Sequence, residues 1–109
     1  MNAMNYEQIT LEIIVNGGNA RSYSMEAIHL AKVGKIEEAR EKLEAAGKVL
    51  GEAHAVQTKL IQEEASGNTV EMSLLMVHAQ DHLMNAITVK DLAEEFIDMY
   101  ETIFKGKTE

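Results

Sequence analysis

The chain has 109 residues, 46% of them apolar, and contains no proline, tryptophan or cysteine. That length fits one domain around one core, so residues 1–109 read as a single domain, and so apolar a composition is not that of a disordered chain. Without cysteine there are no disulfides, thiolate zinc sites or cysteine nucleophiles; a net charge of −8 argues against nucleic acid, which calls for a basic footprint.

No apolar run approaches a membrane span. The N-terminus shows no signal-peptide pattern. The expected location is therefore cytoplasmic, with no direct membrane insertion. The charge is uneven, because residues 69–109 hold three lysines against eight acids, −5 of the −8. Such a surface can steer a basic partner or be a solvated helix face.

The first predicted helix runs from about Tyr6 to Val33. Asn5 with Gln8 fits a capping box, and Met4 with Ile9 a hydrophobic staple. Tyr6, Ile9, Ile13, Ala20, Ala27 and Ala31 lie near one stripe. Gly17-Gly18 interrupts it, as a kink or a close helix contact. Gly34 reads as a left-handed residue closing the helix.

The second helix runs from about Ile36 to Ala65. Ile36, Ala39, Leu43, Ala46, Leu50, Ala53, Gln57, Leu60 and Glu64 recur in steps of three and four, a coiled-coil-like seam. It turns polar at Gln57 and Glu64, so its last turns face water or polar partners. His54 sits beside this seam and reads as a structural histidine. His29 gives no specific signal.

Gly67-Asn68 forms the next turn, and Asn68 with Glu71 offers a second capping box. The third helix runs from about Thr69 to Phe104. Its second half carries Val89, Leu92, Ala93, Phe96, Tyr100 and Ile103 as one stripe. Short turns between long helices predict an all-α, antiparallel, up-down-up three-helix bundle, each helix about 45–50 Å long.

The first half of the third helix has two apolar stripes. One is Met72, Leu75, Met76, Ala79, Leu83 and Ala86. The other is Val70, Leu74, Val77, Asp81, Met84 and Thr88, in four-three steps. One subunit needs only one of them. The second predicts self-association through parallel copies of this helix. Asp81 would then meet its copies, and carboxylates on a shared axis need protonation or a hard divalent cation such as Mg²⁺. The plain alternative leaves Asp81 at the surface.

His78 and His82 share a helix face. With Asp81 they have the spacing of a zinc site, but not the glutamate of the metalloprotease motif. Without further information the default is two structural or solvated histidines.

The stretch "HAQDHLMNAITVKDLAEEF" (residues 78–96) resembles the signature of the lactose/cellobiose-type IIA component of the sugar phosphotransferase system. "NGGNARSYSMEAI" (16–28) and "EAHAVQTKLIQEEASG" (52–67) are similar to the same family's first and second helices. The resemblance implies a homotrimer of three-helix subunits acting as a phosphoryl carrier. It implies that HPr, the histidine-phosphorylated carrier protein, donates to His78, through Nε2. The IIB component then accepts on a cysteine, for sugar entering through the membrane component IIC. The family's axial aspartate, ligating a shared divalent cation, falls on Asp81. Gln80 and His82 match supporting motif positions. His82 either donates to the phosphoryl oxygens or faces solvent. The wording favours a cellobiose or chitobiose type of substrate over lactose. Two rivals stand beside this reading: a metal-binding bundle using His78, Asp81 and His82, and a non-enzymatic coiled-coil adaptor.

Overall fold

A computed structural model describes residues 6–108, arranged as α1 (Tyr6–Lys32), α2 (Ile36–Ala65) and α3 (Leu74–Thr108). No strand is present among the described residues. The three helices form the expected antiparallel bundle, 60 × 23 × 21 Å in extent. α1 packs against both partners, while α2 and α3 meet less closely.

The turns follow from backbone chemistry. Gly34 and Gly67 adopt φ of +86° and +93°, conformations that cost residues with a Cβ. At the end of α1 the Gly34 N–H donates to Ala31 O and the Lys35 N–H to Leu30 O, both at 3.0 Å. At the end of α2 the Gly67 N–H donates to Glu64 O and the Asn68 N–H to Glu63 O. Each pair is a Schellman closure, satisfying carbonyls the helix leaves open. The capping box of Asn5 and the staple of Met4 lie outside the described residues.

α1 runs unbroken through Gly17-Gly18, where α3 approaches closely, as the close-contact reading has it. Its buried face is Thr10, Ile13, Gly17, Ala20, Ser24, Ala27 and Ala31. Such small side chains let the other helices approach. Ser24 Oγ donates to Ala20 O at 2.8 Å, and Thr10 Oγ1 donates to Tyr6 O, so both buried hydroxyls are satisfied. α2 supplies Ala39, Leu43, Ala46, Leu50, Ala53 and Leu60, as its seam predicts. α3 supplies Met76, Ala79, Leu83, Ala86, Ala93 and Ile97.

α3 departs from expectation at both ends. It begins at Leu74 and not Thr69. The Asn68–Glu71 capping box is not formed. Asn68 Nδ2 instead donates to Glu63 Oε2 at 3.1 Å. Ser73 caps the helix, its Oγ accepting from the Met76 N–H at 3.1 Å. Residues 69–73 are a non-helical strap that buries Val70 in the core. Val70 therefore leaves the outer stripe, and Met72 and Leu75 leave the inner one, since both are exposed. At the far end the helix continues past Phe104 to Thr108, with Gly106 inside it. Terminal carbonyls facing water need no glycine stop. In the second half the core residues are Ala93 and Ile97, while Leu92, Phe96 and Ile103 are exposed.

Across this far end Arg40 Nη2 binds Asp98 Oδ1 at 3.1 Å and Glu101 Oε1 at 3.0 Å. The hydrogen bond to Asp98 raises the guanidinium pKa above its ordinary value; desolvation opposes it, and the hydrogen bond to Glu101 and the charges of both acids add to the rise. Lys42 bridges Glu26 on α1 at 3.1 Å.

Candidate functional site

Met76, Ala79, Leu83 and Ala86 bury one face of α3 and so fix where its remaining side chains point. On the opposite side Leu74, Val77, Asp81, Met84 and Thr88 face solvent. Leu74 is 87% exposed, Val77 50% and Met84 51%. The outer stripe inferred from the spacing is thus real, less Val70, and Asp81 lies in its middle. Asp81 Oδ2 accepts from Asn85 Nδ2 at 3.3 Å.

At about 100° per residue, His78 lies about 60° from Asp81 on one side of the stripe, and Gln80 about 100° on the other. His78 is exposed on the α1 side. Its ring stacks on that of His82, with centroids 5.8 Å apart and planes inclined by 20°. His82 is half-buried and lies over the backbone of α1 at Gly17 and Gly18. A Cβ on Gly17 would stand 3.1 Å from His82 Cδ2, and one on Gly18 would stand 3.4 Å from His82 Nε2. A glycine inside a helix costs about 1 kcal/mol relative to alanine, and here the missing Cβ makes room for an imidazole. A broad open groove continues from His82 along α1, past Arg21, Ser22 and His29.

Gln80 points to the α2 side. Its Oε1 accepts from Gln57 Nε2 at 2.6 Å, and its Nε2 lies 3.6 Å from Met76 Sδ. Gln57 also approaches Met84 Sδ at 3.8 Å. Within one subunit the structure therefore brings His78 and His82 together and holds Gln80 apart. The polar end of the α2 seam finds a partner at Gln57, whereas Glu64 is exposed. His54 is exposed beside an open groove with Gly47, Gly51 and Lys90, not a satisfied core histidine.

Two features escaped sequence reasoning. Ser73, followed by an apolar run, carried a capping signal that Asn68 obscured. The partner of Gly17 carried none, because sequence spacing does not reveal which side chain crosses from another helix.

The His-Asp-His reading as one metal cluster does not survive. The two imidazoles lie face to face instead of converging. Among the described residues no group of three His, Asp or Glu side chains is placed to hold a metal ion within the subunit. No described helix is long and apolar enough to cross a membrane.

The depressions beside these side chains are open to solvent. The exposed His78 imidazole stands at the edge of the exposed apolar stripe of α3. Residues 8–101 match the family described as PTS system, Lactose/Cellobiose specific IIA subunit, and the chain belongs to that family. It is a phosphotransfer component of the sugar phosphotransferase system.

Over 97 residues the chain is 62% identical to the lichenan-specific phosphotransferase enzyme IIA component of Bacillus subtilis (strain 168), covering 89% of this chain and 88% of that one. The crystal structure of the cellobiose-specific enzyme IIA from Bacillus anthracis superposes with a TM-score of 0.89 at 53% identity, covering 95% of each chain. The IIA(Chitobiose)–HPr complex of the N,N'-diacetylchitobiose branch of the Escherichia coli phosphotransferase system matches with a TM-score of 0.79 at 37% identity, covering 93% of this chain and 98% of that chain.

Proposed function

We propose that this chain accepts a phosphoryl group from phospho-HPr on His78 and passes it to the cysteine of a IIB component. The observation that carries the reading is the exposed His78 ring, stacked on His82 at the edge of an apolar stripe, in a IIA-family bundle. The family resemblance supports Nε2 as the reactive atom. Its lone pair attacks phosphorus as the bond to the donor histidine of HPr breaks. In the second step the thiolate of IIB attacks phosphorus and the bond to His78 breaks. Both steps rest on positioning and charge stabilisation. Two successive partners need the same atom, which is why the nucleophile stands in the open. The relative solved in complex with HPr supports HPr as donor. IIC is reached only indirectly, and the relay works on the cytoplasmic side.

The assembly we propose is a homotrimer of parallel α3 helices with Val77, Asp81 and Met84 facing the axis. Three such stripes cover apolar surface that a lone subunit leaves in water. They also set the His78 flank of one copy against the Gln80 flank of the next, which gives Gln80 a supporting role that it lacks within one subunit. Asp81 fits an axial divalent cation, Mg²⁺ by preference. Its carboxylate is a hard oxygen donor, one per copy, among apolar neighbours. The cation would neutralise like charges there and take no part in the transfer.

For the substrate we propose a β-linked disaccharide of cellobiose or chitobiose type over lactose. The lichenan- and cellobiose-specific relatives support this choice.

The test is incubation with phosphoenolpyruvate, enzyme I and HPr, followed by intact and peptide mass spectrometry. One phosphoryl group per chain is expected on the peptide holding His78. His78→Gln should abolish uptake while the trimer persists in light scattering. Base-stable, acid-labile phosphate on that variant would overturn the assignment.

A further inference from the structure

Gly17 and Gly18 sit in the interior of α1 with no positive φ, so nothing in the backbone calls for glycine. What they share is a neighbour. A Cβ at either position would meet the same imidazole, at 3.1 Å from His82 Cδ2 for Gly17 and at 3.4 Å from His82 Nε2 for Gly18. The glycines of α2 differ: a Cβ on Gly47 would reach only the flexible end of Lys90, at 3.9 Å, and one on Gly51 would meet nothing within 4 Å. Gly17 is itself buried, and its next contact is the α3 backbone at Leu83 Cα, 3.7 Å away. The distance that would have to give is therefore the one to His82.

The same His82 ring stacks on His78, near-parallel and with centroids 5.8 Å apart. Within the subunit this stack is the contact that orients the exposed His78 ring.

We propose that Gly17, backed by Gly18, is a positioning residue for phosphoryl transfer: the space it leaves seats the His82 ring, and the seated ring sets the orientation of His78. The inference rests on His78 being the phosphoryl acceptor. Gly17 touches no reacting atom and acts only through His82. Displacing the His82 ring by a few tenths of an ångström tilts its partner away from in-line geometry. Transfer between two docked proteins tolerates such errors poorly, since small misplacements cost large rate factors.

The test is a double-mutant cycle on the rate of transfer from phospho-HPr, using wild type, Gly17→Ala, His82→Ala and the double variant. Gly17→Ala should slow transfer about tenfold. In the His82→Ala background the same substitution should change the rate by less than about twofold, because its Cβ then meets free space. At fixed pH the ring C–H signals of both His78 and His82 should move in Gly17→Ala. Gly51→Ala should leave the rate and those signals unchanged. Gly18→Ala should give a smaller loss in the same direction, and it serves if Gly17→Ala folds poorly by circular dichroism. Wild-type rates in both alanine variants, or equal slowing with and without His82, would overturn the proposal. Failure of the wild-type protein to take up phosphoryl would instead overturn the acceptor assignment, while the ring signals would still report on the seat.

Discussion

The buried face of α3 presents Met76, Ala79, Leu83, Ala86, Ala93 and Ile97 to the bundle, while its outer face presents Leu74, Val77, Met84, Leu92 and Phe96 to solvent. Apolar side chains dominate both faces, and both recur at helical spacing. They differ in size. The inner face includes several alanines, which suit the close approach of α1 and its own small side chains. The apolar residues of the outer face are large, and a carboxylate, Asp81, stands between Val77 and Met84. Apolar spacing therefore marks two faces of α3, of which the bundle covers the inner one, and the proposed trimer would cover the outer one.

Substitutions on the two faces should separate subunit stability from assembly. Leu83 is fully buried. Leu83→Ala should lower unfolding stability by about 2–5 kcal/mol, read as a lower denaturant midpoint whether or not copies associate. Met84→Glu places a second carboxylate on the outer stripe. It should convert the proposed trimer to monomer in light scattering, with helical circular dichroism retained. A trimer persisting in Met84→Glu would break the comparison. In the proposed trimer, whose axis would bury Asp81, Asp81→Leu should remove any sensitivity of the melting temperature to a chelator, and it should raise stability, as apolar replacement of buried charge often does by about 1–4 kcal/mol. Wild-type protein indifferent to chelation would count against the axial cation. Arg40→Ala should have the smallest effect, below about 1 kcal/mol and weaker still in high salt, because its ion pairs are exposed.

Much of the fold was legible in the chain. Absent proline, the glycines at 34 and 67, and three-four spacing through α2 place α1, α2 and their closing turns to within a residue. The start of α3 was not legible. Asn68 and Glu71 have the right spacing for a capping box, but the Schellman closure at Gly67 engages the Asn68 N–H, and Asn68 Nδ2 binds Glu63. Helix formation then waits for Ser73. The second half of α3 was misjudged for a related reason. Phe96 and Leu92 look like core beside Ala93, yet it is Ala93 and Ile97 that are buried with Ala27, Ala31, Ala39 and Leu43, and Tyr100 packs against that cluster.

The candidate site was legible in its residues but not in its contacts. His78, Asp81 and His82 stand out because ionisable groups are few in that apolar stretch. Their division among different flanks follows from helical angle. The seat of His82 on α1 depends on which residues of two helices cross, and no local pattern encodes that.

The lack of cysteine has a consequence for redox chemistry. Methionine is the only sulfur in the chain, so reversible oxidation falls on thioethers. Met76 is 2% exposed and shielded in the core, whereas Met84 stands half exposed on the outer stripe. Sulfoxide formation at Met84 would put a polar, chiral group where apolar surfaces are to meet. Peroxide should therefore mark Met84 before Met76, faster in dissociated subunits than in assembled ones, so that its oxidation rate reports on assembly.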